Sequence, residues 1–267
     1  MINTSITIGQ YIPGDSVIHR ADPRTKIVLS LVFMVVIFLL DSFWTITAMT
    51  LFVLLTVVIS GVPMRYTLRG LKPIMFIIIF TALINIFTTG GTPISQTVPL
   101  KYITWEGLLL ALKLAVRLAL IIISGSLLTF TTTPILLTDG IEKLLSPFRR
   151  IGLPAHELAM MMSIALRFIP TLLEETDKIM KAQAARGADF DTGNLVQRAK
   201  SFVPVLVPLF VSAFRRADEL ATAMEARCYR GGKGRTRLRD LAFTGADTKI
   251  LLVTCIFFTG ILLLEYL

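Results

Sequence analysis

Along the chain, long apolar runs separate shorter polar ones. The runs Ile27 to Leu40, Trp44 to Ser60, Ile74 to Thr88, Leu108 to Phe130 and Ile250 to Leu264 predict five membrane-spanning helices. Several fall short of the roughly 20 residues that cross a bilayer, so their ends must borrow flanking Ser, Thr and aromatic residues. Between the fourth and fifth runs the pattern changes. Met160 to Leu173 and Phe202 to Phe214 are apolar but carry Pro170 in one case and Pro204 and Pro208 in the other. Each is followed by a polar, helix-favouring stretch. We therefore expect, twice over, an apolar helix bent at proline that leads into a polar helix, too short to span and lying along or dipping into the cytoplasmic face. The fold class expected is an all-α integral membrane protein with about five transmembrane helices and long amphipathic helices outside the bilayer. Its expected domains are an N-terminal membrane domain (1–134), a cytoplasmic helical domain (135–246) and a C-terminal transmembrane helix (247–267).

Composition agrees with a membrane protein. Of 267 residues, 54% are hydrophobic and 17% charged, which excludes an ordinary soluble domain. Charge then gives an orientation. Arg20, Arg24 and Lys26 precede the first run, and Arg65, Arg69 and Lys72 follow the second, whereas the stretch from Asp41 to Trp44 has no base and the loop from Thr89 to Gly107 has only Lys101. The positive-inside rule puts the N-terminus in the cytoplasm, the charged block inside and the C-terminus outside. That block, Ile135 to Ala246, holds 17 of the 27 basic residues together with 12 acids, so it cannot lie in hydrocarbon. No signal peptide is expected, because the first 26 residues are polar and interrupted by Pro13 and Pro23. Lys113 and Arg117 interrupt the fourth run on one helix face. They read either as an interfacial or protein-facing turn, leaving Leu118 to Leu137 to cross, or as a cation pair lining a substrate path.

The chemistry missing from the sequence narrows the function. No acid lies within a span, since Asp41 and Glu265 stand at span ends, so coupling to an ion gradient is not expected. The segment Gly231-Gly232-Lys233-Gly234-Arg235-Thr236 is basic and glycine-rich but lacks phosphate-loop spacing. Cys228 and Cys255 are far apart, and His19 and His156 are isolated, so neither a disulfide nor a metal site is expected. Nothing has the pattern of a catalytic nucleophile or an acid pair. The chain reads as a non-catalytic part of a larger machine, with no nucleic-acid partner.

The charged block contains an internal repeat. Thr176 to Arg186 aligns with Ala217 to Arg227 at an offset of 41 residues; the Asp (177, 218), two Ala (182 with 223, 185 with 226) and the Arg (186, 227) coincide. A single Ala-Arg-Gly is a well-terminated helix end, with a cation at the C-terminus and glycine as cap. Two copies suggest more. Small residues beside an arginine let another surface approach and let the guanidinium grip a carboxylate or carbonyls bidentately, so two such tips suit two similar partners.

The run Ala165-Leu166-Arg167-Phe168-Ile169-Pro170, the segments Ala182 to Phe190, Arg216 to Ala221 and Ala223 to Tyr229, and the threonines of Thr131-Thr132-Thr133-Pro134 resemble the transmembrane (T) component of energy-coupling factor transporters, the EcfT family. The resemblance implies that two Ala-Arg-Gly motifs end cytoplasmic coupling helices that insert into grooves on two ABC-type ATPase subunits. It implies too that a separate membrane protein, the S component, captures a vitamin or micronutrient. On this reading Arg186 and Arg227 dock the ATPases, flanked by Ala185 and Gly187 and by Ala226 and Cys228. The chain itself holds no cofactor, with ATP and Mg bound by the ATPases, and it resides in a bacterial or archaeal plasma membrane. Met160, Met161, Met162 and Ala165 are candidate contacts to the S component, as adaptable Met-rich surfaces can be. One departure stands out: Cys228 occupies the second motif's glycine position, which predicts that the helix stops later, at Gly231 or Gly232. Two rival readings remain, a conventional ABC permease half that forms its own substrate path and a structural membrane protein whose basic helices bind anionic lipid.

Overall fold

The computed structural model describes residues 11–92, 104–152, 154–190, 192, 194–231 and 241–267, with the backbone alone described at 149–151 and 195. Lys101, and all but Gly231 of the basic loop 231–236, lie outside the described residues. In chain order the helices are α1 (Val17–Arg20), α2 (Pro23–Leu39), α3 (Phe43–Ser60), α4 (Met64–Leu71), α5 (Met75–Thr88), α6 (Trp105–Thr131), α7 (Pro134–Leu145), α8 (Ala155–Ala185), α9 (Leu195–Ser201), α10 (Val203–Ala226) and α11 (Gly245–Tyr266), with a 3₁₀ turn at Ser146–Ile151. Among the described residues there is no β-strand. By length and composition, α3, α6, α8 and α11 can each cross a membrane, and α4 and α5, bent by 59° at their junction, make a fifth candidate as a broken span. The first expected span, in α2, has 17 residues, or about 25 Å of helix against the ~30 Å hydrocarbon core. The fold is all-α and membrane-embedded, as expected.

The chain divides into two compact units, Met1–Leu144 with Asp240–Leu267, and Leu145–Arg239. In the first, Phe33, Val36, Ile37 and Leu40 of α2 meet Ile46, Met49 and Val53 of α3, Leu120 of α6, and Phe258 and Ile261 of α11. Phe52 stacks on Phe257 with ring centroids 4.4 Å apart, extending the contact between α3 and α11. The outward faces stay apolar: Phe76, Phe80, Leu83 and Phe87 of α5 are all more than half exposed, as lipid-facing side chains are. α5 and α6 approach backbone to backbone at Gly107, where a Cβ would lie 3.0 Å from the carbonyl oxygen of Asn85. Only a residue without a side chain fits there.

Both ends of this unit are tied by polar side chains from distant parts of the sequence. At one end, Glu265 of α11 accepts the amides of Asp41 and Ser42, each at 2.9 Å, and the hydroxyl of Thr45 at 2.6 Å, placing a carboxylate at the N-terminus of α3, which has no side-chain cap of its own. Beside it, Arg117 of α6 donates to the carbonyl of Leu40, at the C-terminus of α2, and pairs with Asp41 at 3.2 Å. At the other end, buried Asp247 caps α11 through the amide of Thr244 and accepts the amide of Asp22 at 2.7 Å. Asp22 in turn caps α2 and pairs with Arg24, whose guanidinium reaches the carbonyl of Leu241 at 2.8 Å. Lys26 donates to the carbonyls of His19 and Thr131 and to the hydroxyl of Thr132. The threonine run is therefore part of a structural knot.

Three expectations about local structure change. α6 is one helix from Trp105 to Thr131, so the expected crossing segment Leu118 to Leu137 is not the observed one: the chain turns at Thr132 and restarts at Pro134. The Lys113 and Arg117 pair separates in role. Arg117 ties helix ends together, whereas Lys113 lines an open cleft of about 950 Å³ formed by residues of α3 and α6 with Thr89. In the second unit neither Pro170 nor Pro208 divides its helix, so the apolar and polar halves of each repeat are continuous in α8 and in α10. A proline inside a helix removes one hydrogen bond, and the many that remain carry the helix past it. At 31 residues α8 is by length and composition a candidate span, longer than its apolar run Met160 to Leu173 by itself.

Candidate functional site: two matched arginine tips

α8 ends on Ala185 and α10 on Ala226, and each places its arginine at the C-cap, with backbone angles of −86° and 5° at Arg186 and −90° and 13° at Arg227. The turns that follow are the same. Gly187 N–H bonds the carbonyl of Ala184 and Ala188 N–H that of Gln183, both at 3.0 Å. In the second copy Cys228 N–H bonds the carbonyl of Glu225 at 2.8 Å and Tyr229 N–H that of Met224 at 3.0 Å. These 5→2 and 6→1 bonds form a Schellman motif, which requires a left-handed residue immediately after the C-cap. Gly187 has φ 89° and Cys228 φ 54°. Cys228 is the sole non-glycine with positive φ among the described residues. The expectation of a later stop at Gly231 or Gly232 is thus corrected: α10 ends at Ala226 because the two closing hydrogen bonds outweigh the ~1–2 kcal/mol that a side chain costs in this conformation.

Ala185, Arg186 and Gly187 are all exposed, as are Ala226, Arg227 and Cys228. Among the described residues neither guanidinium has a carboxylate partner, although acids are frequent nearby on both helices. Each tip is therefore a fixed backbone turn presenting an unpaired, fork-shaped donor between small neighbours. After the first tip the chain returns to α10 through α9: Asn194 begins α9 in a capping box with Gln197, Arg198 donates to the carbonyl of Phe190, and Phe190 meets Phe202 at 5.3 Å.

The two helices bearing the tips pack against each other. Arg216 of α10 pairs with Glu175 of α8 at 2.8 Å, and Ser212 hydrogen-bonds the same carboxylate. Gln183 reaches the carbonyl of Pro204 at 3.4 Å. As the position in α8 rises from 175 to 183, its partner in α10 falls from 216 to 204, so the helices run antiparallel and the tips point away from the contact in opposite senses. In the sequence Arg216 appears only as the start of the family-like segment Arg216 to Ala221, and Glu175 is not marked at all. The signal was present, since opposite charges occupy equivalent positions of the repeat.

The candidate S-component contacts on α8 are partly exposed. Met161 and Met162 are 54% and 44% exposed and Ala165 is exposed, whereas Met160 is half-buried. On α10, Val205 is buried, while Leu206, Val207, Phe210, Val211 and Phe214 form an exposed apolar face. Cys228 and Cys255 are free, and no cluster among the described residues could hold a metal ion.

The chain matches the family model CbiQ, described as a cobalt transport protein, over residues 14–238. It is 60% identical over 261 residues to an energy-coupling factor transporter transmembrane protein EcfT of Ruminiclostridium cellulolyticum, covering 98% of this chain and 97% of that protein. The EcfT of Thermosediminibacter oceani is 56% identical, with 98% of each chain covered, and that of Bacillus subtilis 50% identical, with 92% and 93% covered. With a family model spanning most of its length and relatives this similar along nearly all of theirs, the chain belongs to the CbiQ family, as a multi-pass transmembrane component of energy-coupling factor transporters of the EcfT kind.

Proposed function

We propose that this chain is the non-catalytic coupler of an importer, gripping two ABC-type ATPase subunits with Arg186 and Arg227 and passing their ATP-driven motion to a substrate-binding S component that takes up a vitamin or micronutrient. The observation that carries the reading is the identity of the two tips. Each has arginine at the C-cap of a Schellman turn, a small residue on either side and, among the described residues, no carboxylate partner. A helix end needs a cap but does not need an exposed, unpaired arginine between small residues twice over. A partner groove with a buried acid would complete each guanidinium. The exposed apolar faces of α8 and α10 supply a surface for the S component, and ATP and Mg belong to the ATPases.

Truncating one arginine would leave the partner's acid buried and unpaired, at a cost of about 2–5 kcal/mol, or roughly 30-fold to several thousand-fold in affinity at that contact. Co-purification of the ATPases with Arg186→Ala, Arg227→Ala and the double variant tests this. Each single variant should hold its ATPases weakly through the remaining tip, and the double variant should lose them. Arg186→Lys should restore little, because an ammonium cannot reproduce the planar fork, whereas attraction to anionic lipid would accept lysine. A double variant that keeps its ATPases and takes up labelled vitamins or Co²⁺ as well as the parent protein would overturn the reading. The purified chain alone should bind no ATP in a calorimetric titration, and saturable binding would count against a purely mechanical role.

A further inference from the structure

The repeat offset recurs in the packing of the two helices. Arg186 and Arg227 are 41 residues apart, and so are Glu175 and Arg216, the two residues of the ion pair that joins α8 to α10. The pair therefore lies at equivalent positions of the two copies, eleven residues before each arginine tip. Eleven helical residues are ~16 Å. Because the helices are antiparallel, the two tips stand at equal distances on opposite sides of one contact, at most ~33 Å apart along the helix direction.

We infer that Glu175 and Arg216 are positioning residues for the tips: their ion pair is the pivot that fixes the separation of Arg186 and Arg227 and keeps the two docking arms equal in length. The inference rests on the proposed docking role and adds a mechanical requirement to it. Two similar grooves that close symmetrically displace two equal arms by equal amounts, and a contact at the midpoint can turn without sliding. A slip of α10 by one helical turn would leave the α8 arm unchanged and lengthen or shorten the α10 arm, and with it the tip separation, by about 5 Å. Apolar side chains resist such a slip weakly, because a stripe of similar side chains repacks one turn along. A carboxylate facing a single guanidinium does not, since the slipped register leaves both charges without partners. The pair is also placed to act as a register lock, with its side chains 24% and 34% exposed, and Ser212, one turn before Arg216, bonds the same carboxylate. Among the described residues it is the only ion pair between these two helices, and the flanking pair, Lys181 with Asp177, stays within α8.

The test compares Glu175→Gln, Arg216→Gln and the exchanged pair Glu175→Arg with Arg216→Glu, in the full chain with Cys228→Gly and Cys255→Ser. Spin labels at the exposed, repeat-equivalent positions Ala182 and Ala223 report the arm separation by electron–electron distance measurement. We expect one narrow distance in the parent, a distribution at least twofold broader or split by a helical turn in each single variant, and recovery of the narrow distance in the exchanged pair. A narrow, unchanged distance in both single variants would overturn the pivot, and so would an exchanged pair that folds but stays as broad as the single variants. This measurement uses the chain alone. ATPase retention, assayed in parallel, fails in the parent if the docking role is wrong, so the two ideas fail separately.

Discussion

At Cys228 a side chain occupies a conformation that suits glycine, and its repeat partner Gly187 shows what relief would look like. Replacing Cys228 with glycine removes the left-handed strain but adds freedom to the unfolded chain, for a net gain of about 0.5–1 kcal/mol. The reverse change, Gly187→Ala, should cost about 1 kcal/mol. A Cβ at position 187 meets nothing within 4 Å, so this cost comes from the backbone alone. Thermal unfolding of the two variants in detergent should show shifts of opposite sign. ATPase retention should be unchanged for Cys228→Gly, because the arginine and its turn remain.

At the scale of elements, helix ends in the membrane unit are completed by residues far away in sequence. α3 has no side-chain cap of its own, and Glu265 supplies one from the last helix. Glu265→Ala should destabilise the protein by about 1–3 kcal/mol by leaving the amides of Asp41 and Ser42 without their acceptor. Hydrogen exchange should quicken at those two amides before it quickens in the middle of α3. The approach of α5 to α6 makes a different demand. Gly107→Ala would push a methyl group to 3.0 Å from the carbonyl of Asn85 and 2.8 Å from the hydroxyl of Thr104, so the two helices must separate. A loss of about 1–3 kcal/mol is expected, read as a lower unfolding midpoint.

For the whole molecule, the proposed topology has its N-terminus and the repeat inside the cell and the last residue outside. The charge distribution carries that orientation: Arg20, Arg24, Lys26, Arg65, Arg69 and Lys72 flank the ends of the early spans on one side. Cysteines introduced at Gly91, Asp189 and Leu267, in a chain without its native cysteines, should react with an impermeant reagent in intact cells at 91 and 267 only. Labelling at 189 would invert the orientation and detach the tips from any cytoplasmic ATPase.

Hydropathy, charge and the repeat determine the helical membrane class and the resemblance to its family and single out Arg186 and Arg227 as candidates, because each is a local or periodic property of the chain. Hydrogen bonding within a helix and the cost of charge in hydrocarbon depend on neighbours in sequence, so they can be read residue by residue. Local rules erred where longer-range structure prevailed. The composition around the prolines at 170 and 208 suggested an apolar helix leading into a separate polar one, yet α8 and α10 each run through as one helix. Cys228 looked unfit for a cap, yet the closing bonds from Cys228 and Tyr229 hold it there. Tertiary structure alone decided which partner each carboxylate finds. Asp247 accepts the amide of Asp22 from 225 residues away, Glu265 that of Asp41 from 224, and Glu175 the guanidinium of Arg216 from 41. A carboxylate in the sequence has many cations and amides to choose from, and only packing of the helices brings one of them to 3 Å. The sequence by itself therefore determined what the two tips are, and the tertiary structure decided how far apart they are held.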